Sequence, residues 1–316
     1  MSELRSVIPF GGSAVPFTRS LSLSYVNAIK ESPVWKNLIL DADLQPEIRV
    51  GEITVYYRGG ALIKSLKVNA AGRLKADVHR KFIPISRQRQ SEYLRLEGDS
   101  NTGLQFVGQV DPIPIGLASR HVLAAYKAAM NQVLRDFPEG HLVHNIATRI
   151  DNLIVDQELT FEEPDVPRVK VDLCYFDLKL KKLVFVEVKR VVDGRLFAPD
   201  GRPEVLNQLQ AYCERMEEKR DEILKALQTV VALKRSLGLG ERLEGIPNGE
   251  PLSLLGKPLL VIGNCSKEER ASIRRGHGIW APLMAGLGKV ASGLVICGSD
   301  GCKLQIGGAG HSISFL

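Results

Sequence analysis

The stretch VDLCYFDLKLKKLVFVEVKR, residues 171–190, decides the fold because it predicts two apolar strands joined by a lysine-rich turn. One face of the second strand is wholly apolar and consists of Val184, Val186 and Val188. The opposite face changes from apolar at Phe185 to ionic at Glu187 and Lys189. This change is typical of a strand whose end lines a polar site.

The turn determines which side chains of the two strands face each other. A loop with an even number of residues is expected; the four residues 178–181, for example, would pair Asp177 with Lys182. In that register Asp172 lies directly across from Glu187. Two carboxylates that close repel each other, so the pattern implies either a raised pKa or a bound cation. Mg²⁺ or Mn²⁺ suits such a site, since Mg²⁺ takes oxygen ligands and needs only one or two carboxylates.

Lys189 follows Glu187 by two residues and shares its face of the strand. Its ammonium group would lie beside a water molecule bound to the cation. Paired carboxylates, a divalent ion and a lysine outline a site for phosphodiester hydrolysis. The pattern also arises by chance in a chain of which one quarter is charged, so spacing alone does not establish the site.

The order of the predicted elements indicates an α/β fold with a mixed central sheet flanked by helices. Two helices are expected from Ser119 to Phe137 and from Glu139 onward. The elements that follow are strands at 156–162, 168–177 and 183–191, a long helix at 203–237, a strand in KPLLVIGN, a helix in SKEERASIRR, and strands in SGLVICG, KLQIGG and HSISF.

The N-terminal part has a different pattern. Residues 47–110 alternate and break at glycines, which is typical of a β-meander. We therefore expect a β-rich module at 1–115 and the main α/β domain at 116–316.

Positive charge is concentrated in this N-terminal module. Residues 58–95 hold ten lysines and arginines against two acidic residues, a local charge of +8 in a chain of net charge +6. Such an excess, interleaved with aromatic residues, indicates a surface for a phosphate backbone, and its candidate residues are Lys64, Lys67, Arg73 and Lys75. A solvated face of a small sheet explains the charge equally well.

The composition excludes several classes of protein. A chain of 316 residues with 44% apolar side chains can bury one large core or two modest ones. The best apolar run, LMAGLGKVASGLVICG, is interrupted by Lys289, so we expect no membrane span. The start lacks an export signal and the five cysteines suit reduced thiols, which together favour a cytoplasmic protein. A zinc site at Cys297 and Cys302 with His277 and His311 is a weak alternative, because four residues separate the cysteines.

The acidic residue on one strand and Glu187-Val188-Lys189 on the next resemble the PD-(D/E)XK nuclease superfamily. The later stretch QLQAY, with Gln208 and Tyr212 one helical turn apart, resembles the Gln-Leu-x-x-Tyr helix of its exonuclease-like branch. The resemblance covers residues from about 119 to 265. It departs from the pattern at Val171, where the name-giving motif has proline.

This resemblance implies a restriction-endonuclease-like core that holds Mg²⁺ or Mn²⁺. Its metal ligands would be Asp172, Glu187, the Val188 carbonyl and Glu139, with Asp151 as the fallback for Glu139. The catalytic set would be Asp172, Glu187, Lys189, Gln208 and Glu139, and Tyr212 would help to position nucleic acid. A glutamate at the start of a helix is also favoured by the helix dipole, and Tyr212 also suits a core position.

The resemblance also implies a function and partners. The chain would be a metal-dependent nuclease acting on nucleic acid, with DNA the commoner substrate of the superfamily. One alternative is an endonuclease in a restriction or defence setting, in which the N-terminal module is the sensor. Another is an inactive nucleic-acid-binding or assembly protein on a nuclease-like core. Cutting both strands of a duplex would favour a homodimer.

Overall fold

The computed structural model describes residues 17–69, 71–79, 82, 93–99, 103–106, 120–134, 138–163, 166–198, 201–307 and 312–315. The helices are α1 (Leu23–Glu31), α2 (Pro33–Leu40), α3 (Arg120–Val133), α4 (Pro138–Ala147), α5 (Glu204–Glu218), α6 (Arg220–Lys234), α7 (Lys267–Arg275) and α8 (Ala281–Val290). The strands are β1 (Gln45–Ile48), β2 (Ile53–Tyr57), β3 (Gly60–Val68), β4 (Arg73–His79), β5 (Tyr93–Asp99), β6 (Gly103–Phe106), β7 (Ile154–Glu163), β8 (Val166–Asp177), β9 (Lys182–Arg190), β10 (Leu259–Gly263), β11 (Gly293–Ile296) and β12 (Ser312–Ser314).

Two six-stranded sheets organise the described chain. Strands β1 to β6 form an antiparallel meander in sequence order, which confirms the β-rich character predicted for the N-terminal part. The second sheet has the order β12-β11-β10-β9-β8-β7 and is mixed, because β9, β10 and β11 are parallel while the other neighbours are antiparallel. The protein is therefore a mixed α/β structure with helices packed on its sheets.

The hairpin of β8 and β9 has the register expected from its sequence. Asp177 pairs with Lys182, and the ladder continues to Leu173 opposite Val186. Asp177 explains this register, because its Oδ1 accepts hydrogen bonds from the backbone N–H groups of residues 179 and 180 at 2.9 Å. The turn is thus closed by its own first residue, and continuing the ladder by one step brings residue 172 opposite residue 187.

The two faces of β9 pack against different partners. Its valines belong to an apolar cluster with Leu142 and Ile146 of α4. Phe185 belongs to the larger core on the other face, together with Leu209 and Tyr212 of α5. The alternation predicted for this strand therefore places the side chains of Glu187 and Lys189 on the α5 side of the sheet.

The N-terminal sheet and the second sheet share the larger core. Trp35 of α2 donates from its indole nitrogen to the Leu237 carbonyl at 2.9 Å. The β2–β3 turn touches α4 so closely that a Cβ added at Gly59 would lie 2.4 Å from the Cα of Gly140. This contact needs glycine, and Gly59 also has a positive φ of 77°. The N-terminal sheet therefore supports the helix that carries Glu139.

The predicted boundary at residues 115 and 116 lies outside the described residues, so the division into 1–115 and 116–316 stays a prediction. Helix α3, which follows that boundary, packs on the N-terminal sheet. Asn131 accepts a hydrogen bond from the Tyr57 hydroxyl at 3.0 Å, and Lys127 binds Asp41 at 3.0 Å.

Two predicted elements are wrong. The helix expected at 203–237 is two helices, because Lys219 has φ −112° and ψ 24° and interrupts the helical backbone. The strand expected in KLQIGG does not form at residues 303–307. The N–H of Leu304 donates to the Asn152 side chain at 2.7 Å, and that of Ile306 donates to Asp177 at 3.1 Å. Side-chain acceptors thus replace the sheet ladder that the apolar pattern suggested.

None of the helices within the described ranges combines the length and the apolar character that crossing a bilayer requires.

Candidate functional site

Strands β8 and β9 bring Asp172, Glu187 and Lys189 into one cluster. The Asp172 Oδ2 accepts a hydrogen bond from the Val188 N–H at 2.8 Å. The Lys189 ammonium donates to the Glu187 Oε1 and lies 3.3 Å from the Val188 carbonyl oxygen. Glu187 and Lys189 are each only 1% exposed. The sheet therefore holds an ion pair almost entirely out of water, with Asp172 beside it.

Helix α4 adds Glu139 to this cluster. Its Oε1 lies 3.9 Å from the Lys189 ammonium nitrogen, and its Oε2 lies 3.5 Å from Nη2 of Arg195. The glutamate side chain is half-buried at the start of the helix. The structure thus brings Glu139 to the predicted position, although a glutamate here also interacts favourably with the helix dipole.

Helix α5 adds Gln208 and Tyr212. The Tyr212 hydroxyl contacts both the Glu187 Oε2 and the Lys170 carbonyl oxygen, and a phenol donates its single proton to one of them at a time. Gln208 donates from Nε2 to the Tyr212 oxygen at 3.1 Å. The two oxygens of Glu187 are therefore held by Lys189 on one side and by Tyr212 on the other.

Burial and the neighbouring charges both shift the pKa values of the cluster. Burial, together with the charge of Glu187, raises the pKa of Asp172 to about 7. Burial also raises the pKa of Glu187 above its ordinary value, although Lys189 opposes the shift. Burial acts to lower the pKa of Lys189, but Glu187 and Asp172 outweigh it and the net shift is upward. One ammonium group therefore faces more carboxylate charge than it neutralises.

The oxygen atoms of the cluster are of the kind that a hard divalent cation prefers as ligands. Oxygen atoms of Glu187, Glu139 and the Val188 backbone already converge on the Lys189 ammonium, which is a positive charge. Among the described residues, no group of three or more His, Cys, Asp and Glu side chains is arranged to hold a metal ion. An ion here would therefore also need the backbone carbonyl and water, which agrees with the few protein ligands that Mg²⁺ requires.

Other predicted residues lie elsewhere. Asp151, the fallback for Glu139, pairs with Arg149 at 2.9 Å in the turn between α4 and β7. The four basic candidates lie on β3 and β4 of the N-terminal sheet, where Lys67 pairs with Glu52 at 3.0 Å and Lys75 with Glu97 at 2.9 Å. Their role toward nucleic acid stays a prediction. Four further cations of the basic segment lie outside the described residues, namely Arg80, Lys81, Arg87 and Arg89.

A second buried carboxylate was not predicted. Asp156 of β7 is fully buried and binds Arg19 at 3.0 Å and Arg49 at 2.8 Å. Nearby, Lys234 of α6 lies 2.7 Å from the buried Glu47 carboxylate of β1. These partners are far apart in sequence, so no local pattern reveals them. The ion pairs of Asp156 connect the N-terminal part of the chain to the second sheet.

Arg195 was also not predicted. It follows β9 in a short 3₁₀ turn, Gly194–Leu196, and reaches Glu139 from there. The only signal in the sequence is a cation shortly after Lys189, which is too common to be informative.

The five cysteines are free thiols. Cys297 and Cys302 are both buried, and His311 of the alternative zinc site lies outside the described residues.

No protein-family model matches this chain, and neither a curated protein nor a solved structure matches it. A function is therefore inferred from the motif residues and from the geometry of the cluster.

Proposed function

We propose that this protein is a metal-dependent nuclease that hydrolyses phosphodiester bonds, with DNA as its substrate, on a restriction-endonuclease-like core. The observation that carries the proposal is that Asp172, Glu187 and Lys189 lie together on the β8–β9 hairpin. Tyr212 of the Gln-Leu-x-x-Tyr helix touches the same Glu187. Two separate parts of the sequence motif therefore meet at one carboxylate.

The proposed metal ligands are Asp172, Glu187, the Val188 carbonyl and Glu139. A bound Mg²⁺ or Mn²⁺ would polarise the scissile phosphate and lower the pKa of water at the site. Asp172 and Glu187 supply the negative charge that attracts the cation to a partly buried position. Burial is the main cause of their raised pKa values, and repulsion from Glu187 adds to the shift of Asp172. A bound cation would relieve that repulsion, which supports this role.

Lys189 is the proposed catalytic cation. Its ammonium group can orient the attacking water by hydrogen bonding and offset negative charge that develops on the phosphate. The side chain is 2% exposed, so its charge acts in a region from which most water is excluded. Replacing it should therefore impair the reaction more than replacing a lysine at the surface.

Gln208 and Tyr212 are proposed to position Glu187. Burial raises the pKa of Tyr212 well above its ordinary value, so the phenol keeps its proton and remains a donor. Gln208 donates to the same oxygen, which orients the phenol proton toward Glu187 or the Lys170 carbonyl. The helix thereby fixes one carboxylate oxygen and leaves Lys189 to contact the other.

A second candidate is an inactive nucleic-acid-binding protein with a nuclease-like core. The observation that favours it is that both oxygens of Glu187 already have partners within the protein. An ion pair satisfied in this way is compatible with a structural role.

A plasmid assay separates the two candidates. Supercoiled DNA is incubated with the protein and Mg²⁺ or Mn²⁺, and parallel reactions contain EDTA or single-stranded RNA. We expect nicking only with the metal, and a loss of roughly 10²- to 10⁴-fold in Lys189→Ala and Glu187→Ala. Lys182→Ala, at the opposite end of β9, is the matched control and should cut like the parent.

The outcomes are distinct. A folded parent that cuts nothing with either metal supports the inactive candidate. Cleavage by Lys189→Ala at the parental rate would place the site elsewhere.

A further inference from the structure

Arg195 lies next to the proposed site, and none of the steps proposed above uses it. The residue follows β9 in the turn Gly194–Leu196, with Asp193 as its N-cap. Its side chain is 38% exposed, whereas that of Lys189 is 2% exposed. A cation at the solvent boundary of the cluster can meet a ligand that the buried lysine cannot reach alone.

Asp193 holds the guanidinium in a fixed orientation. Its Oδ1 accepts hydrogen bonds from the Arg195 backbone N–H and from Nε, both at 2.9 Å, and its Oδ2 accepts from Nη2 at 2.6 Å. The carboxylate thus occupies the Nε–Nη2 edge of the guanidinium. An arginine fixed in this way loses little conformational freedom when a ligand binds its other edge.

One nitrogen of the guanidinium also lies near the cluster. Nη2 lies 3.5 Å from the Glu139 Oε2, and Nη1 takes no part in this contact or in those with Asp193. The Glu139 Oε1 is 3.9 Å from the Lys189 ammonium, so one carboxylate separates the two cations. The 3.5 Å contact is long for a hydrogen bond, which leaves room for a stronger acceptor.

We infer that Arg195 binds a phosphodiester of the nucleic-acid backbone adjacent to the one that is cleaved. The inference rests on the proposed nuclease function and names a further substrate-binding residue of that site. The Nη1–Nη2 edge presents parallel donors that match two phosphate oxygens, and such charge-assisted pairs are stronger than neutral hydrogen bonds. Glu139 would exchange its weak contact with Arg195 for its place among the proposed ligands.

A local turn-stabilising pair is the competing explanation. An Arg–Asp pair two residues apart at the surface contributes little to stability, and it needs no ligand. The two explanations differ in their dependence on DNA and salt. A phosphate contact contributes to affinity and to its salt dependence, whereas a turn contact contributes to neither.

Binding is measured by fluorescence anisotropy of a short labelled duplex in EDTA, from low to moderate salt, for the parent, Arg195→Ala and Arg195→Lys. We expect Arg195→Ala to bind about 10-fold more weakly and to reduce the magnitude of the salt slope by about 0.9. Arg195→Lys should keep the salt slope, because the positive charge remains. It should bind more weakly than the parent, because lysine lacks the two parallel donors of the guanidinium.

Arg168→Ala is the matched control, since it breaks an exposed ion pair with Glu162 at the start of β8. It should keep the parental affinity and slope. In cleavage assays Arg195→Ala should raise KM more than it lowers kcat, and thermal unfolding should show that each variant is folded.

If the parent binds DNA and Arg195→Ala binds it with the same affinity and the same salt slope, this inference is wrong and the nuclease proposal stays intact. A parent that neither binds nor cuts the duplex would overturn both.

Discussion

Asp156 and Asp172 lie on neighbouring strands of one sheet, yet their surroundings shift their pKa values in opposite directions. Burial alone would raise the pKa of Asp156, but Arg49 and Arg19 outweigh it and hold the value below its ordinary range. Burial and Glu187 raise the pKa of Asp172 to about 7. The first carboxylate has two guanidinium partners, whereas the second shares a single ammonium group with Glu187.

The difference separates two uses of a buried charge. Asp156 is neutralised by two arginines from the N-terminal part of the chain, and these ion pairs join that part to the second sheet, so its charge contributes to structure. The cluster of Asp172 and Glu187 keeps excess negative charge, which costs stability unless another cation binds. Burial alone therefore does not distinguish the two carboxylates, whereas the balance of charge around each of them does.

The largest expected effect concerns stability. Asp156→Asn should lower the free energy of unfolding by about 3–5 kcal/mol, because it leaves two buried guanidinium groups without their carboxylate. Asp172→Asn should leave it unchanged or raise it, because a repulsive charge is removed and the amide oxygen can still accept from the Val188 N–H. Urea denaturation of both variants in EDTA measures the two effects. If the two substitutions lower the free energy of unfolding equally, the two carboxylates do not differ in their contribution to stability and the comparison is wrong.

The second effect is a pH dependence in EDTA. The folded pKa of Asp172 is about 7 against an ordinary value of 3.8, so the folded state binds its proton more tightly than the unfolded state. Its contribution to stability is present below the unfolded pKa and is lost as pH rises from about 4 to 7. We expect the parent to lose about 2–4 kcal/mol relative to Asp172→Asn across this range. Urea denaturation at several pH values measures the free energy of unfolding of both proteins. Plots of this free energy against pH that stay parallel for the parent and Asp172→Asn would contradict the account.

A smaller effect is expected for the phenol that contacts Glu187. Tyr212→Phe should lower the free energy of unfolding by about 1 kcal/mol and reduce cleavage roughly 10-fold, because one Glu187 oxygen loses its donor. Tyr175→Phe is the matched control, since that buried phenol donates to Asp177 at 3.0 Å, in the turn of the hairpin. It should cost similar stability and leave cleavage unchanged. Equal losses of cleavage in both variants would assign Tyr212 to the core alone.

The smallest effect is expected for DNA binding by the lysines and arginines of the N-terminal sheet. Lys67 and Lys75 already have carboxylate partners on the N-terminal sheet, and a phosphate backbone would have to replace them. Neutralising Lys64, Lys67, Arg73 and Lys75 together should weaken binding of all DNA sequences about equally. It should also flatten the slope of log affinity against log salt by at most about 3.6, while cleavage at saturating DNA survives.

The matched control for this variant neutralises four cations of α7, namely Lys267, Arg270, Arg274 and Arg275. If the salt slope changes only in the α7 variant, the basic segment is a solvated face of the sheet and the DNA contact lies on α7.

The hairpin was predictable because its determinants are local. The period-2 alternation of β9 and the turn residue Asp177 together specify the register, and the register places Asp172 opposite Glu187. Gln208 and Tyr212 were predictable from one helical turn of sequence. The break at Lys219 was not, because the apolar pattern continues through it and only packing separates the two helices.

The electrostatic partners were beyond reach of the sequence. Arg19 and Arg49 lie 137 and 107 residues from Asp156, and no periodicity connects them. Arg195 becomes meaningful only after α4 brings Glu139 beside it. Long-range charge pairing therefore had to be read from the structure, whereas the carboxylates of the hairpin did not.

Calorimetric titration of the DNA-free protein with Mn²⁺ tests the central claim most directly, namely that the under-neutralised cluster is a cation site. We predict one ion per chain, tighter binding at pH 8 than at pH 6 because Asp172 must lose its proton, and no binding to Glu187→Gln. Asp151→Asn, which alters a carboxylate paired with Arg149, should bind like the parent. Absence of binding to the parent, or unchanged binding to Glu187→Gln, would contradict the claim and make this cluster a structural one like that of Asp156.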